Sequence, residues 1–196
     1  MKEEYYTIEK QTIEMNPLET NGFILEIGGG GEGIIGRLNG RKVIAIDVRI
    51  EELEETKNDS LKVVMDATDL KFLPSSFDVA ASFFSLMYIK NEHHLKTFKE
   101  VHKVLKDRGR FFIWDVRVPP KPMDKTIFVV PLEILLPNKK VETSYGIKWD
   151  NKEQDLEYFK GLVRRTDFKI VDEWSRDEIF YLELMKHASS TSPNTA

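Results

Sequence analysis

Apolar residues along this chain fall into short runs separated by polar or amphipathic segments. Residues 23–27, 42–47, 61–65, 77–84 and 110–118 are compact and rich in Val, Ile and Phe, as buried strands are. Between them lie helical patterns. A helix opens at Ile34 and Ile35, a charged one covers 49–56, and a third runs from Asn91, read as its cap, to about Leu105. Leu95, Phe98, Val101, Val104 and Leu105 follow the three-four spacing of one buried face in that third helix. Residues 154–166 are again helical, and 168–174 and 178–186 read as closing strands. Only Ser175, Arg176 and Asp177 separate these two, whereas a parallel crossover needs roughly a dozen residues. The last strand is therefore antiparallel to its neighbour. The alternation predicts an α/β fold: a three-layer αβα, doubly wound, Rossmann-like sheet, mostly parallel, with an antiparallel C-terminal strand.

Two stretches depart from the alternation. Residues 1–22 are polar with scattered apolar positions and predict an N-terminal arm or helix, with turns at Asn16-Pro17 and Asn21-Gly22. Residues 119–151 begin with Pro119, Pro120 and Pro122, then carry two apolar runs around Pro137-Asn138, which predicts an inserted β-hairpin. It is a candidate lid or partner surface, through which the chain could form a homo-oligomer, or a hairpin folded onto its own domain. Residues 23–186 then make a single domain, and 187–196 form a polar, disordered tail.

Composition narrows the function. The 196 residues suit one domain with a sizeable core. No apolar stretch is long enough to cross a bilayer, and the start lacks the order of a secretory signal, so a cytoplasmic location is expected. The absence of cysteine excludes disulfides, thiolate catalysis and cysteine-based zinc sites, and the four histidines form no ligand set, so no metal is expected. A net charge of −4 argues against a general nucleic-acid-binding face; Lys160, Arg164 and Arg165 read as a solvated helix face.

The chemistry concentrates at residues 23–37, FILEIGGGGEGIIGR. Four consecutive glycines would weaken any regular element, so the run reads as a site where a ligand meets main chain, at a strand tip whose free N–H groups suit an anion or a nucleoside-bearing ligand. Glu26, on the strand itself, must find backbone donors or a ligand's ammonium group. The next two strands end in Asp47 and Asp66, and a carboxylate is the efficient acceptor for two vicinal hydroxyls. Gly28, Gly30 and Gly33 also satisfy G-x-G-x-x-G, with Asp47 about 20 residues on, so a nicotinamide-dinucleotide site is a rival reading.

The order ILEIGGGGEG, VIAID, VVMDATDLKFLPSSFDVAASFFSLMYI and FKEVHKVLKDRGRFFIWD resembles the class I S-adenosylmethionine-dependent methyltransferases, in particular their small-molecule, type 11-like branch, over residues 23–116. The resemblance implies S-adenosylmethionine as cofactor, with S-adenosylhomocysteine as product. It places Gly28 and Gly30 against the methionine part, with Glu26 a candidate cofactor-binding residue beside them, Asp47 on the ribose hydroxyls and Val48 over the adenine. Asp66 and Ala67 meet the adenine edge, and Phe83 borders the methionine end. The chain departs from the pattern at Glu32, where a third glycine is usual. The resemblance implies methyl transfer to a small molecule. DNA is not expected as acceptor, because the tetrapeptide and Pro-Cys motifs of DNA-base methyltransferases are missing. A nicotinamide-dependent oxidoreductase and a non-catalytic binding module on the same fold remain alternatives. No catalytic residue is identified; the candidates near the mouth are Tyr88, His93, His94, Asp115, Tyr145 and Trp149, with Phe84 as a lining aromatic.

Overall fold

In the computed structural model, residues 4–150 and 152–188 are described. Of the expected tail, residues 189–196 lie outside them.

The main sheet has seven strands: β3 (Ile24–Ile27), β4 (Val43–Asp47), β5 (Leu61–Val64), β6 (Phe77–Phe83), β7 (Leu105–Val116), β10 (Phe168–Arg176) and β11 (Ile179–Lys186). Their order across the sheet is β10-β11-β7-β6-β3-β4-β5. The five strands β3 to β7 run parallel, while β11 is antiparallel to both β7 and β10, as the short link before it demands. The switch in strand order lies at β3, whose neighbours are β4 and β6. In open α/β sheets, ligands bind where crossovers leave such a strand in opposite directions.

One face of the sheet carries Leu25, Ile27, Ala80, Phe111, Ile113, Leu182 and Leu184. It buries the apolar stripes of α3 (Asn91–Val104) and α4 (Leu156–Val163) through Phe98, Val101, Val104, Phe159 and Leu162. The opposite face, with Ile24, Val43, Val79, Phe112, Trp114 and Tyr181, is covered by the short α1 (Ile34–Asn39) and by a second sheet instead of a full helical layer.

That second sheet is built on the hairpin β8 (Ile127–Leu136) and β9 (Lys139–Lys148). Two N-terminal strands, β1 (Tyr5–Thr7) and β2 (Gln11–Glu14), pair in parallel with β8. The arm is thus strand and not helix: Gln11, Ile13 and Met15 alternate inward, the period of a half-buried strand. Between Thr7 and Gln11 three arm residues face two of β8, and one of those two is Pro131. Proline has no N–H to offer the ladder, so the arm bulges there. Phe128, Val130, Leu132, Ile134, Ile147 and Trp149 are all buried in the core shared with the main sheet. At roughly 1.5–3 kcal/mol each, such burial amounts to about 10 kcal/mol before the entropy of ordering the chain. The hairpin is therefore a fixed layer of its own domain and not a free flap.

Two local expectations are corrected. Asn91 does not cap α3; Lys90 holds that position, and the Asn91 amide instead donates to the Glu153 carbonyl at 2.7 Å. The strand expected over 110–118 starts earlier, directly after α3 at Leu105, turns through Arg108 at φ 60° and ends at Val116. Among the described residues, no helix is long and apolar enough to cross a membrane.

Candidate cofactor and acceptor site

The glycine loop leaves β3 at Gly28 and enters α1 at Ile34. Gly28, Gly31 and Gly33 all have positive φ (68°, 61° and 52°), a region costly for any residue with a Cβ. The loop was expected to present free N–H groups, and several are already engaged. Gly29 donates to Ile46 O at 3.0 Å, Gly31 to Glu52 O at 2.9 Å and Gly33 to Gly30 O at 3.3 Å. From α2 (Ile50–Glu55) and the turn after it, Thr56 Oγ1 donates to Gly31 O and Asn58 Nδ2 to Gly33 O, both at 3.0 Å.

Glu26 resolves which donors it uses. Its carboxylate accepts the main-chain N–H groups of Ile35 at 3.0 Å and Gly36 at 3.1 Å, so it fills the start of α1 from beneath the loop. Room for it comes from the two residues beside it in the sheet, Ala45 on β4 and Ala81 on β6. Burial raises its pKa to about 7, outweighing the two N–H bonds that favour the charged form.

The two aspartates stand at adjacent strand tips. Asp47 is half-buried; one carboxylate oxygen accepts the Arg49 N–H at 3.0 Å, and the other lies beside Gly30, where an added Cβ would come within 2.9 Å of it. Val48, next in sequence, is 62% exposed and so available to cover a flat ligand. Asp66, past β5, is exposed and accepts the Thr68 N–H at 2.7 Å, with Ala67 buried behind it. Gly28, Gly30, Asp47, Val48, Asp66 and Ala67 thus gather along the carboxyl ends of β3, β4 and β5.

Phe83 is the last residue of β6, with its ring buried against Phe84 and Trp114. The chain then turns through Phe84 at φ 48° and places Ser85 over the glycine loop. Ser85 Oγ donates to Ile27 O at 2.6 Å and is paired with Ser82 Oγ at 2.7 Å. A Cβ on Gly28 would collide with Ser85. Nothing in the local sequence marks this serine, because Ile27 and Gly28, which it meets, lie at the tip of another strand.

The candidates at the mouth separate clearly. His94 is fully buried, with Nε2 on Leu86 O at 2.9 Å and Nδ1 on Tyr158 OH at 3.0 Å; burial lowers its pKa to about 4. Asp115 is fully buried as well. It accepts from Met87 N, Val116 N and Gln154 Nε2, and burial raises its pKa to about 7. Trp149 is buried and donates to Pro119 O at 2.9 Å. These three hold structure together. His93 sits on the exposed first turn of α3, 3.6 Å from Glu92. Tyr88 ends a single 3₁₀ turn (Leu86–Tyr88) and remains 48% exposed at the mouth; burial of its hydroxyl pushes its pKa up to about 12. Tyr145 reaches the same place from β9, its ring 5.9 Å from that of Phe84.

Two residues unmarked in the sequence, Lys152 and Gln154, complete the mouth together with Glu32. Lys152 is buried, and its ammonium donates to the carbonyls of Met87, Tyr88 and Ile89 at 3.2, 2.7 and 3.0 Å. Gln154 holds Asp115. Glu32, the departure in the glycine run, accepts from Thr143 Oγ1 at 2.6 Å. Among the described residues, no group of three His, Asp or Glu side chains is arranged to hold a metal ion.

Residues 25–113 match a protein family described as methyltransferase domain. No curated protein matches the chain. Among solved structures, the PH0226 protein of Pyrococcus horikoshii is 18% identical with a TM-score of 0.61, covering 86% of this chain and 82% of its own. A protein of Methanosarcina mazei described as an S-adenosylmethionine-dependent methyltransferase is 17% identical with a TM-score of 0.62, over 87% and 95% of the two chains. One of Mesorhizobium loti with the same description is 14% identical with a TM-score of 0.59, over 86% and 94%.

Proposed function

We propose that the chain, whose residues 25–113 match a methyltransferase domain and whose fold is that of solved methyltransferases, takes S-adenosylmethionine as methyl donor and transfers its methyl group to a small molecule. The nucleoside lies across the tips of β3, β4 and β5. Asp47 takes the ribose hydroxyls with its oxygen beside Gly30, Val48 covers the adenine, and Asp66 and Ala67 meet its edge. Gly28 and Gly30 approach the methionine part.

The observation that carries this reading is the place of Glu26. A dinucleotide fold seats a pyrophosphate on the N-terminus of its first helix. Here a carboxylate already occupies the amides of Ile35 and Gly36, so a second anion there would meet a like charge and find those donors taken. A sulfonium nucleoside carries no phosphate and has no need of that seat.

The donor brings the chemistry as a sulfonium, so the protein supplies position and field. The buried candidates His94 and Asp115 have their polar atoms engaged, and the phenol of Tyr88 stays protonated at neutral pH. This supports an acceptor that attacks through a lone pair it already has, such as an amine or a thiolate, without a protein base.

Titration calorimetry with S-adenosylmethionine, S-adenosylhomocysteine and NAD(H) tests the reading. Binding of the first two with no heat from NAD(H) is expected; the reverse pattern would overturn it. S-adenosylhomocysteine release on incubation with a metabolite extract then identifies the acceptor.

A further inference from the structure

Glu32 stands where the resemblance calls for glycine, between two residues held at positive φ, Gly31 and Gly33. This backbone carries the Glu32 side chain out of the loop and onto the inner face of β9. There its carboxylate accepts from Thr143 Oγ1 at 2.6 Å, and Tyr145, whose phenol pKa burial raises, stands close enough for the same carboxylate to push it up further. Its carbonyl accepts from Arg37 Nε, which ties the same residue to α1. A second contact lies alongside: the Tyr145 ring is 5.9 Å from that of Phe84, in the turn after β6. Tyr88 follows on the 3₁₀ turn that Lys152 braces. One strand of the second sheet is thus in contact with the glycine loop and with the turn after β6, the two segments that border the methionine end.

We propose that Glu32 is a positioning residue that couples the β8–β9 hairpin to the donor loop, so that donor binding and the placement of the acceptor wall formed by Thr143, Tyr145 and Tyr88 are linked. This rests on the function proposed above. Coupling between two sites is reciprocal in free energy: whatever the hairpin contributes to the loop's geometry, the donor returns to the hairpin. Neither Thr143 nor Tyr145 is among the residues placed against the nucleoside, so their removal reports coupling more directly than a change at Asp47 or Asp66 would. A charge-assisted hydrogen bond to a carboxylate is strong enough to carry such a link.

The test pairs S-adenosylhomocysteine calorimetry with amide hydrogen exchange on the full chain, for wild type and the variants Thr143→Val, Tyr145→Phe and their combination. Both substitutions remove a hydroxyl and keep the packing shape, and unchanged exchange in β7 and β11 shows that the fold persists. The double variant is expected to bind S-adenosylhomocysteine at least about fivefold more weakly. The ligand should also slow exchange in β9 of the wild type but not of the double variant. Unchanged affinity, or ligand protection confined to the glycine loop with β9 unaffected, would overturn the coupling and leave the contact as plain packing. Absence of binding by the wild type would instead bring down the proposed function, and the coupling with it. Should the double variant lose β7 and β11 protection, Glu32→Gln, which weakens the same contact from the loop side, gives the same two readouts.

Discussion

The carboxylate of Glu26 accepts the N–H of Ile35 at 3.0 Å, bridging the two ends of the glycine loop. A buried acid with only main-chain donors is costly to ionise, which is why its pKa rises from 4.5 to about 7. The folded protein holds this proton more tightly than the unfolded chain. Between about pH 4.5 and 7 the folded state therefore binds more protons, and stability falls as pH rises. Above that window both states are ionised and the full cost remains, on the order of a few kcal/mol. Asp115, also raised to about 7, acts in the same direction. His94, lowered to about 4, acts in the opposite one: the unfolded chain takes up its proton first, so acid below about pH 6.5 destabilises. Urea denaturation of wild type and Glu26→Gln at about pH 5 and pH 8 separates these effects. The variant should lose stability relative to wild type, and lose more at the lower pH. A deficit equal at both would refute the shifted acid.

Asp47→Ala should weaken S-adenosylhomocysteine binding by at least about tenfold, the worth of one charged hydrogen bond to the ribose. The carboxylate is half-buried and outside the core, and its one bond in the free protein is to the exposed Arg49 amide, so thermal denaturation should change little. Unchanged affinity with an unchanged melting curve would remove Asp47 from the ribose.

The mostly parallel central sheet and its antiparallel last strand were legible in the sequence because they rest on local signals: compact apolar runs, a three-residue link, glycines at a strand tip; the second sheet that replaces one helical layer was not. The tips that gather Asp47 and Asp66 follow from the same signals. What escaped is long-range. Strands β1 and β2 are three and four residues long and exist by pairing with β8, more than a hundred residues away. An acid that braces a helix start and an acid that meets a ligand look alike in one dimension, so Glu26 could be placed only once Ile35 and Gly36 were seen above it. His94 sits in the first turn of a helix, an exposed place by pattern; Leu86 and Tyr158, from other elements, bury it. Glu32 reads as a flaw in a glycine motif until Thr143 is brought to it.

Gly28 leaves no space for a side chain, since a Cβ there would strike Ser85. Gly28→Ala should destabilise by roughly 1–3 kcal/mol, combining the cost of φ 68° with displacement of Ser85. Ser85→Gly in the same chain removes the clash and leaves the backbone term. The double variant should therefore recover part, not all, of the loss caused by the alanine, which a double-mutant cycle in urea measures. Strictly additive effects would show that the two residues do not meet.

Lys152 is the remaining support of the mouth, a buried ammonium that serves the carbonyls of Met87, Tyr88 and Ile89. Burial lowers its pKa, yet three carbonyl acceptors satisfy its three donors. Lys152→Met keeps the aliphatic stem and removes those donors, leaving carbonyls near the turn unpaired. The expected loss is about 1.5–3 kcal/mol, at the level of a hydrogen bond to a charged group. Because the carbonyls belong to the turn that presents Tyr88, hydrogen exchange should quicken at residues 86–89 well before it does in β6 or β7. Methyl-donor affinity should change less than acceptor use, since Asp47 and Asp66 stand on other strands. A uniform rise in exchange across the sheet would show instead that Lys152 supports the whole domain and not the acceptor side alone.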